Sequence, residues 1–457
     1  MTSERKLFGT DGIRGVAGAF PLDPETTFGI GSARARHLGR TGGRPRVVIG
    51  QDTRESSRSI ADSVSAGLSS EGVDVESAGV ITTPGIAHLA HCRKFHAGVV
   101  ISASHNPWTD NGIKVFGSDG YKLPDEIELQ VEHEIFAGIE KTTDVVAQKT
   151  QPSFATLPAK VDLRLDYVEH LMADVEPVPL ALKLVVDCAN GAASTVAPEI
   201  FSRWNKQLKV EFIHHNPNGQ NINDHCGALF PETVARAVVE RKADLGITFD
   251  GDADRALFAD ADGKVVNGDA VMLLAAREMK ATGRLLNDLV VATTMSNMGL
   301  EAALKRSGVR MLRAPVGDKY VLEEMQKNRA ALGGEQSGHI IFLDDATTGD
   351  GLLTTLHVLS VIGRARKSLS ELVADLKVFP QVIKNVRVRE KKPLMDIPEV
   401  AHSIRYAEQA LDGTGRVVVR YSGTEALARV MIEAESEHEM HRHADSIVAA
   451  IQRALGA

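Results

Sequence analysis

Along the chain one pattern of apolar and polar positions recurs. A short β-branched run is followed by a loop of small or polar residues and then by a segment of helical periodicity. "RVVIG" (Arg46 to Gly50) leads through "QDTRESS" into "SIADSVSAGLSSEG"; "LKLVVD" (Leu182 to Asp187) leads through "CANGAAS" into "TVAPEIFSRW". "DLVVATT" (Asp288 to Thr294) leads through "MSNMG" into "LEAALKRSG". Strands apolar on both faces, alternating with helices, predict parallel sheets buried between helices. Three such blocks predict three α/β domains of similar build, with mixed or parallel sheets. They share the pattern and no further sequence identity. The last block differs: "GRVVVRYSG" and "ARVMIEAES" read as two strands facing each other across a loop, with a helix after them. It predicts a smaller C-terminal α+β domain. Polar or proline-containing seams near Thr150 to Lys160, after Phe249 and near Ala365 to Leu372 divide the chain into residues 1–155, 156–252, 253–368 and 369–457. These four parts are expected around a central cleft.

Composition adds bounds. At 457 residues the chain is too long for one core. Its net charge of −8 argues against broad nucleic-acid binding. Cys92, Cys188 and Cys226 are odd in number and scattered, without CxxC spacing, which fits a reducing cytoplasm and supplies no redox or metal motif. The start lacks the apolar stretch of a secretory signal, and no run approaches the roughly 18 apolar residues of a membrane helix. The expectation is a cytoplasmic protein, monomer or homodimer, with neither membrane nor nucleic acid as partner.

Ligands of open parallel sheets gather beyond the carboxyl ends of strands, so the loops there are the ones to inspect. In "LGITFDGDADRALF" three aspartates, Asp250, Asp252 and Asp254, alternate after an apolar run. In an extended segment residues two apart point the same way, so the carboxylates can converge on a hard divalent cation. A solvated acidic turn is the alternative. The EF-hand pattern is excluded, because Arg255 and Ala261 stand where that loop needs glycine and glutamate. "GVVISASHNP" places Ser104 just past a buried-type strand, without the G-x-S-x-G elbow of hydrolases. Adjacent residues of an extended chain face opposite ways, so His105 is not expected to reach Ser104. Ser104 and Asn106 organising a turn before Pro107 is the competing reading. "VVVRYSGTEALARV" offers Arg420, Ser422, Gly423, Thr424 and Arg429, donors suited to a phosphate dianion or else a plain hairpin turn. "LGGEQSGHI" sets Glu335 and Ser337 among glycines, able to read sugar hydroxyls or to cap a helix. Arg14 in "FGTDGIRG" and Lys319 in "APVGDKYV" are weaker candidates.

Together "FGTDGIRG", "SASHNP", "DGDADR", "GGEQSGH" and "RYSGTE" resemble, in order and over essentially the whole chain, the α-D-phosphohexomutase superfamily. Within it "GEQSG" with "GTDGIRG", and stretches such as "VVDCANGA", "TMSNMGLE" and "TTGDG", are similar to the glucosamine branch. The resemblance implies that Ser104 is carried as a phosphoserine and relays a phosphoryl group through a glucosamine 1,6-bisphosphate. Glucosamine 6-phosphate and glucosamine 1-phosphate would thereby interconvert, towards UDP-N-acetylglucosamine. It implies one Mg²⁺ per chain on Asp250, Asp252, Asp254 and Ser104, and a bisphosphorylated sugar as primer. Lys114 is implied as general acid/base, with His105 and Arg14 supporting the transferred group. Arg255, Lys319, Glu335, Ser337, Arg420, Ser422, Gly423, Thr424 and Arg429 would bind the phosphosugar.

Two departures from the family pattern stand out. Ala426 replaces a proline after "SGTE", so a looser phosphate loop is expected. Ala253 replaces a glycine of "DGDGDR", so the backbone there is expected to avoid positive φ. Competing readings are phosphomannomutase/phosphoglucomutase activity, a phosphosugar-binding protein without catalysis, and a phosphatase using the acidic loop. The last leaves Ser104 without a purpose.

Overall fold

The structure is a computed structural model that describes residues 7–9, 11–39, 43–143, 155–177, 179, 181–422 and 426–456. The first sheet joins β1 (Phe8–Gly9), β2 (Gly12–Val16), β3 (Arg46–Gln51), β4 (Asp74–Val80), β5 (Ala97–Ile101) and β6 (Asp110–Gly117) in the order β1-β2-β6-β5-β3-β4. β3 runs parallel to β4 and β5, whereas β6 is antiparallel to both β5 and β2. β5 is buried at every position, because helices cover both faces. One of them, Thr83–Cys92, lies so close that a Cβ on Gly98 would meet Ile86 at 2.8 Å.

The second sheet contains β7 (Lys183–Asp187), β8 (Lys209–Ile213), β9 (Leu245–Phe249), β10 (Ala256–Ala259) and β11 (Val265–Val266), ordered β11-β10-β9-β7-β8. β7 is parallel to β8 and β9, and β10 turns back antiparallel to β9. The boundary expected after residue 252 falls inside this β9–β10 turn. β12 (Leu289–Thr293), β13 (Arg310–Ala314), β14 (Leu332–Gly334) and β15 (Ile340–Phe342) form the third sheet, ordered β13-β12-β14-β15, with β14 parallel to β12 and antiparallel to β15. Each of these three sheets is mixed. In each the site loop joins a buried strand to its antiparallel neighbour: Ser104 between β5 and β6, Asp250 to Asp254 between β9 and β10, Glu335 and Ser337 between β14 and β15. A connection that short cannot cross over a sheet, so the following strand must return antiparallel.

β16 (Gln381–Arg387), β17 (Gly415–Tyr421) and β18 (Leu427–Ala434) make the last sheet, ordered β16-β18-β17 and antiparallel throughout. Helices Pro398–Ala410 and Glu437–Leu455 supply its core. The fold is therefore three α/β domains and a small C-terminal domain with an antiparallel sheet. The chain forms two compact units: Met1–Met295 with Met311–Val373, and Ser296–Arg310 with Ala374–Ala457. The segment Ser296–Arg310 belongs to the second unit because Asn297 donates to Glu433 Oε1 at 2.6 Å and to the Phe379 carbonyl at 3.0 Å. No described helix is long and apolar enough to cross a membrane.

Candidate active site

Ser104 is buried at the end of β5 with φ +51°, a left-handed backbone unusual for serine. That conformation is imposed by its neighbours. Ser102 Oγ accepts from the Ser104 amide at 2.9 Å and donates to Asp52 Oδ2 at 2.6 Å. The fully buried Arg54 pairs with Asp52 at 2.8 Å and donates to the carbonyls of Ser104 (2.8 Å), Asn106 (2.9 Å), Asp110 (3.0 Å) and Pro107. Asn223 adds a donor to the Ser104 carbonyl at 2.9 Å. The left-handed turn also corrects the expectation for His105: its Nδ1 lies 3.1 Å from Ser104 Oγ, because the backbone there is not extended.

Ser104 Oγ donates to Asp250 Oδ2 at 2.5 Å, which joins the first two motifs. Asp250, Asp252 and Asp254 occupy a tight turn rather than extended chain, and one carboxylate oxygen of each lies within 4.8 Å of the others. Contrary to expectation Ala253 takes φ +55°, at a cost of roughly 1–2 kcal/mol that glycine would not incur. Gly251 has no such freedom to change: a Cβ there would meet the Ser104 carbonyl oxygen at 2.4 Å. The absence of that Cβ lets the serine and aspartate loops touch.

The charges are balanced from the side of β6. Lys114 Nζ, buried, lies 2.8 Å from Asp252 Oδ2, 3.2 Å from Asp254 Oδ2 and 3.0 Å from Asp11 Oδ2. Burial works against its ammonium, yet Asp11, Asp252 and Asp254 outweigh it and raise the pKa well above the usual lysine value. Asp11 in turn pairs with Lys122 at 2.5 Å and with Arg14 at 2.5 Å. Among the described residues no lysine pairs with Asp250; burial and repulsion from Asp254 and Asp252 push its pKa well up. Burial, helped by Arg255 and Arg14, lowers His105 to about 4, so its ring is neutral at pH 7. Asp252 Oδ1 and Asp254 Oδ1 are buried without a hydrogen-bond partner among the described residues. Three convergent carboxylates with orphaned oxygens fit a hard divalent cation held by oxygen ligands.

Beside this cluster opens a cavity of about 380 Å³, lined by Arg14, His105, Asp254, Arg255, Asp318 and Glu335 among others. Glu335 is fixed by the Gly317 amide at 3.2 Å, and Ser337 Oγ lies 3.5 Å from its Oε2. Lys319 is not brought to this cavity: its Nζ pairs with Asp125 and, at 3.6 Å, with Glu128. Sequence reasoning missed Asp11, Arg54, Lys122, Asn223 and Asp318. Asp11 sits inside the quoted "FGTDGIRG", Asp318 inside "APVGDKYV" and Arg54 inside "QDTRESS", so these three lay in loops already quoted.

In the second unit Arg420 and Arg429 are cross-strand partners on β17 and β18. Like charges placed directly opposite repel unless an anion or dipole compensates. Arg429 Nε donates to Asn385 Oδ1 at 3.1 Å, and Lys391 Nζ donates to the Ser422 carbonyl at 2.7 Å, so several donors gather at this end of the sheet. Gly423 and Thr424 lie outside the described residues.

Known proteins are similar to this chain over nearly its whole length. Four family profiles match: phosphoglucomutase/phosphomannomutase alpha/beta/alpha domains I, II and III over residues 5–142, 165–263 and 267–379, and the C-terminal domain over 383–450. Phosphoglucosamine mutase of Koribacter versatilis is 60% identical over 99% of this chain and 98% of its own. That of Solibacter usitatus is 49% identical over 99% of each. A phosphoglucomutase/phosphomannomutase family protein of Burkholderia thailandensis shares the fold, with a TM-score of 0.78 at 23% identity over 97% of both chains. A family of this kind implies a metal ion, and the buried aspartate triad suits one. The chain belongs to the phosphoglucosamine mutase family, within the α-D-phosphohexomutase superfamily.

Proposed function

We propose that this protein interconverts glucosamine 6-phosphate and glucosamine 1-phosphate through a phosphorylated Ser104 and a glucosamine 1,6-bisphosphate intermediate, in the cytoplasm, towards UDP-N-acetylglucosamine. The observation that carries the reading is the 2.5 Å contact of Ser104 Oγ with Asp250 in a buried acidic cluster, at the edge of a cavity bearing Arg14, Arg255 and Glu335. Phosphoryl transfer depends mainly on positioning and on neutralising charge on the equatorial oxygens. Mg²⁺ held by Asp250, Asp252, Asp254 and phosphorylated Ser104 would supply that neutralisation. Arg54 and Asn223 fix the serine's backbone. Arg14 and Arg255 orient the transferred group, and neutral His105 hydrogen-bonds beside it. Lys114, kept cationic by Asp11, Asp252 and Asp254, can donate a proton to a reacting oxygen but has no lone pair to accept one in this arrangement, so the geometry supports the acid half of its expected role. Glu335 and Ser337 read sugar hydroxyls; Lys319, engaged with Asp125 and Glu128, is left out of the substrate contacts expected of it. Arg420, Ser422, Gly423, Thr424 and Arg429 hold the non-reacting phosphate in both orientations of the intermediate.

The testing experiment offers glucosamine 6-phosphate, glucose 6-phosphate and mannose 6-phosphate in competition to Ser104-phosphorylated protein with Mg²⁺. Clear preference for the amino sugar is expected. Preference for a neutral sugar would retain the relay and overturn the choice of substrate. No turnover of any would leave a phosphosugar-binding protein.

Metal binding is expected to release a proton. The metal-free Asp250 carboxyl has its pKa pushed well up and a cation needs it ionised, so affinity falls as pH falls. Calorimetric titration with Mg²⁺ in two buffers of different ionisation enthalpy checks this. Equal heats in both would show that no proton leaves.

A further inference from the structure

A second cluster of metal-binding side chains lies in the second sheet, apart from the residues assigned above. Asp187 ends β7, His214 follows β8, and Cys226 precedes the helix Pro231–Arg241. One ligand atom from each lies within 4.8 Å of the other two. Asp187 and Cys226 are fully buried, and the His214 side chain is 33% exposed. His214 Nδ1 is itself buried and lies 3.1 Å from Asp187 Oδ1, a contact with the carboxylate that raises the histidine's pKa. A ring nitrogen, a carboxylate oxygen and a thiol sulfur that converge in this way are placed as ligands of a common ion would be, with the proton that the Asp187 contact favours on the ring standing where the cation would.

The carboxylate is held for this role. The Ala189 amide donates to its Oδ1 at 2.9 Å and the Gly227 amide to its Oδ2 at 3.1 Å. Such fixing of a ligand by outer hydrogen bonds is what tunes metal sites. Tetrahedral zinc, with bonds of about 2.0–2.3 Å, separates its ligand atoms by roughly 3.3–3.8 Å. Asp187 Oδ1 and His214 Nδ1, 3.1 Å apart, are already that close, and the cysteine sulfur lies within 4.8 Å of a ligand atom of each.

We propose that Asp187, His214 and Cys226 form a zinc-class metal site, distinct from the aspartate triad, with its fourth position open to water through the half-exposed histidine. One oxygen, one imidazole nitrogen and one sulfur suit Zn²⁺ and disfavour Mg²⁺, which takes oxygen ligands. On binding, the Cys226 S–H bond breaks and a proton on the His214 ring nitrogen leaves as well, both passing to solvent, and the thiolate sulfur and ring nitrogen bond the metal. Burial and the neighbouring Asp187 hold the thiol pKa high, so protons compete and affinity rises with pH. The wide chain separation of the three residues explains why no cysteine spacing announced the site.

The site is connected to the catalytic loops. Asn223, three residues before Cys226, donates to the Ser104 carbonyl at 2.9 Å, and the Ala228 amide donates to the Phe249 carbonyl at 2.9 Å, next to Asp250. An ion here clamps the base on which both loops rest.

The test uses full-length protein carrying Cys92→Ser, which removes the exposed thiol, with Mg²⁺ in excess to occupy oxygen-only sites. Co²⁺ serves as the spectroscopic probe for Zn²⁺. One equivalent is expected to produce a near-ultraviolet sulfur-to-cobalt charge-transfer band, and Zn²⁺ is expected to displace it and raise the melting temperature. The band should be lost in Cys226→Ser and in His214→Asn. The second variant keeps a residue that tolerates the φ of +44° at position 214 and changes a half-exposed side chain, so it remains informative if the buried serine disturbs folding. Absence of the band in the parent protein, or its survival in either folded variant, overturns the proposal.

Discussion

Ser104→Ala is expected to lower turnover by at least about 10⁴-fold, because no other group can carry the phosphoryl between the two ends of the sugar. The variant should fold. The backbone bonds that hold residue 104, to Ser102 Oγ, Arg54 and Asn223, do not involve the lost hydroxyl. Alanine at φ +51° carries about the same left-handed cost as serine. What disappears is the 2.5 Å contact with Asp250 and the atom that accepts phosphate. Steady-state turnover of glucosamine 6-phosphate, alongside circular dichroism and a melting curve, checks both halves. Turnover within about tenfold of the parent, with a native melting curve, would remove Ser104 from the relay.

Arg54→Leu is expected to destabilise the first unit by about 3–5 kcal/mol and to inactivate the protein. Removing one partner of a buried ion pair strands the other, here Asp52, and also takes a donor from four carbonyls of the serine loop, that of Ser104 buried and the other three partly so. Leucine fills part of the volume but satisfies none of those groups. Arg54→Lys keeps the charge and loses the planar fork, so it should recover only part of the stability and little of the activity. Urea denaturation compared across the three proteins measures this. A change under about 1 kcal/mol in Arg54→Leu would mean that the loop is held by Asn223 and Ser102 alone.

These two residues mark opposite ends of what could be read without a structure. Ser104 was legible from its place just past a run apolar at every position, and the aspartates were legible from their spacing after another such run. The three α/β blocks were legible because a strand buried on both faces must be apolar throughout, whatever sheet it joins. Arg54 was not legible. It looks like an ordinary loop arginine after "QDT", and the carbonyls it holds lie about fifty residues away in sequence.

The amino-acid sequence by itself determined the strand–helix alternation, the small C-terminal domain and which loops carry chemistry, since these depend on local periodicity and residue type. The tertiary structure decided what those loops do to one another. It placed His105 beside Ser104 by turning the backbone left-handed. It drove Ala253 into positive φ, surrounded Lys114 with Asp11, Asp252 and Asp254, and sent Lys319 to Asp125 instead of the cavity. Each of these is set by a contact between residues far apart in the chain. Local pattern carries no information about such contacts until the sheets have packed.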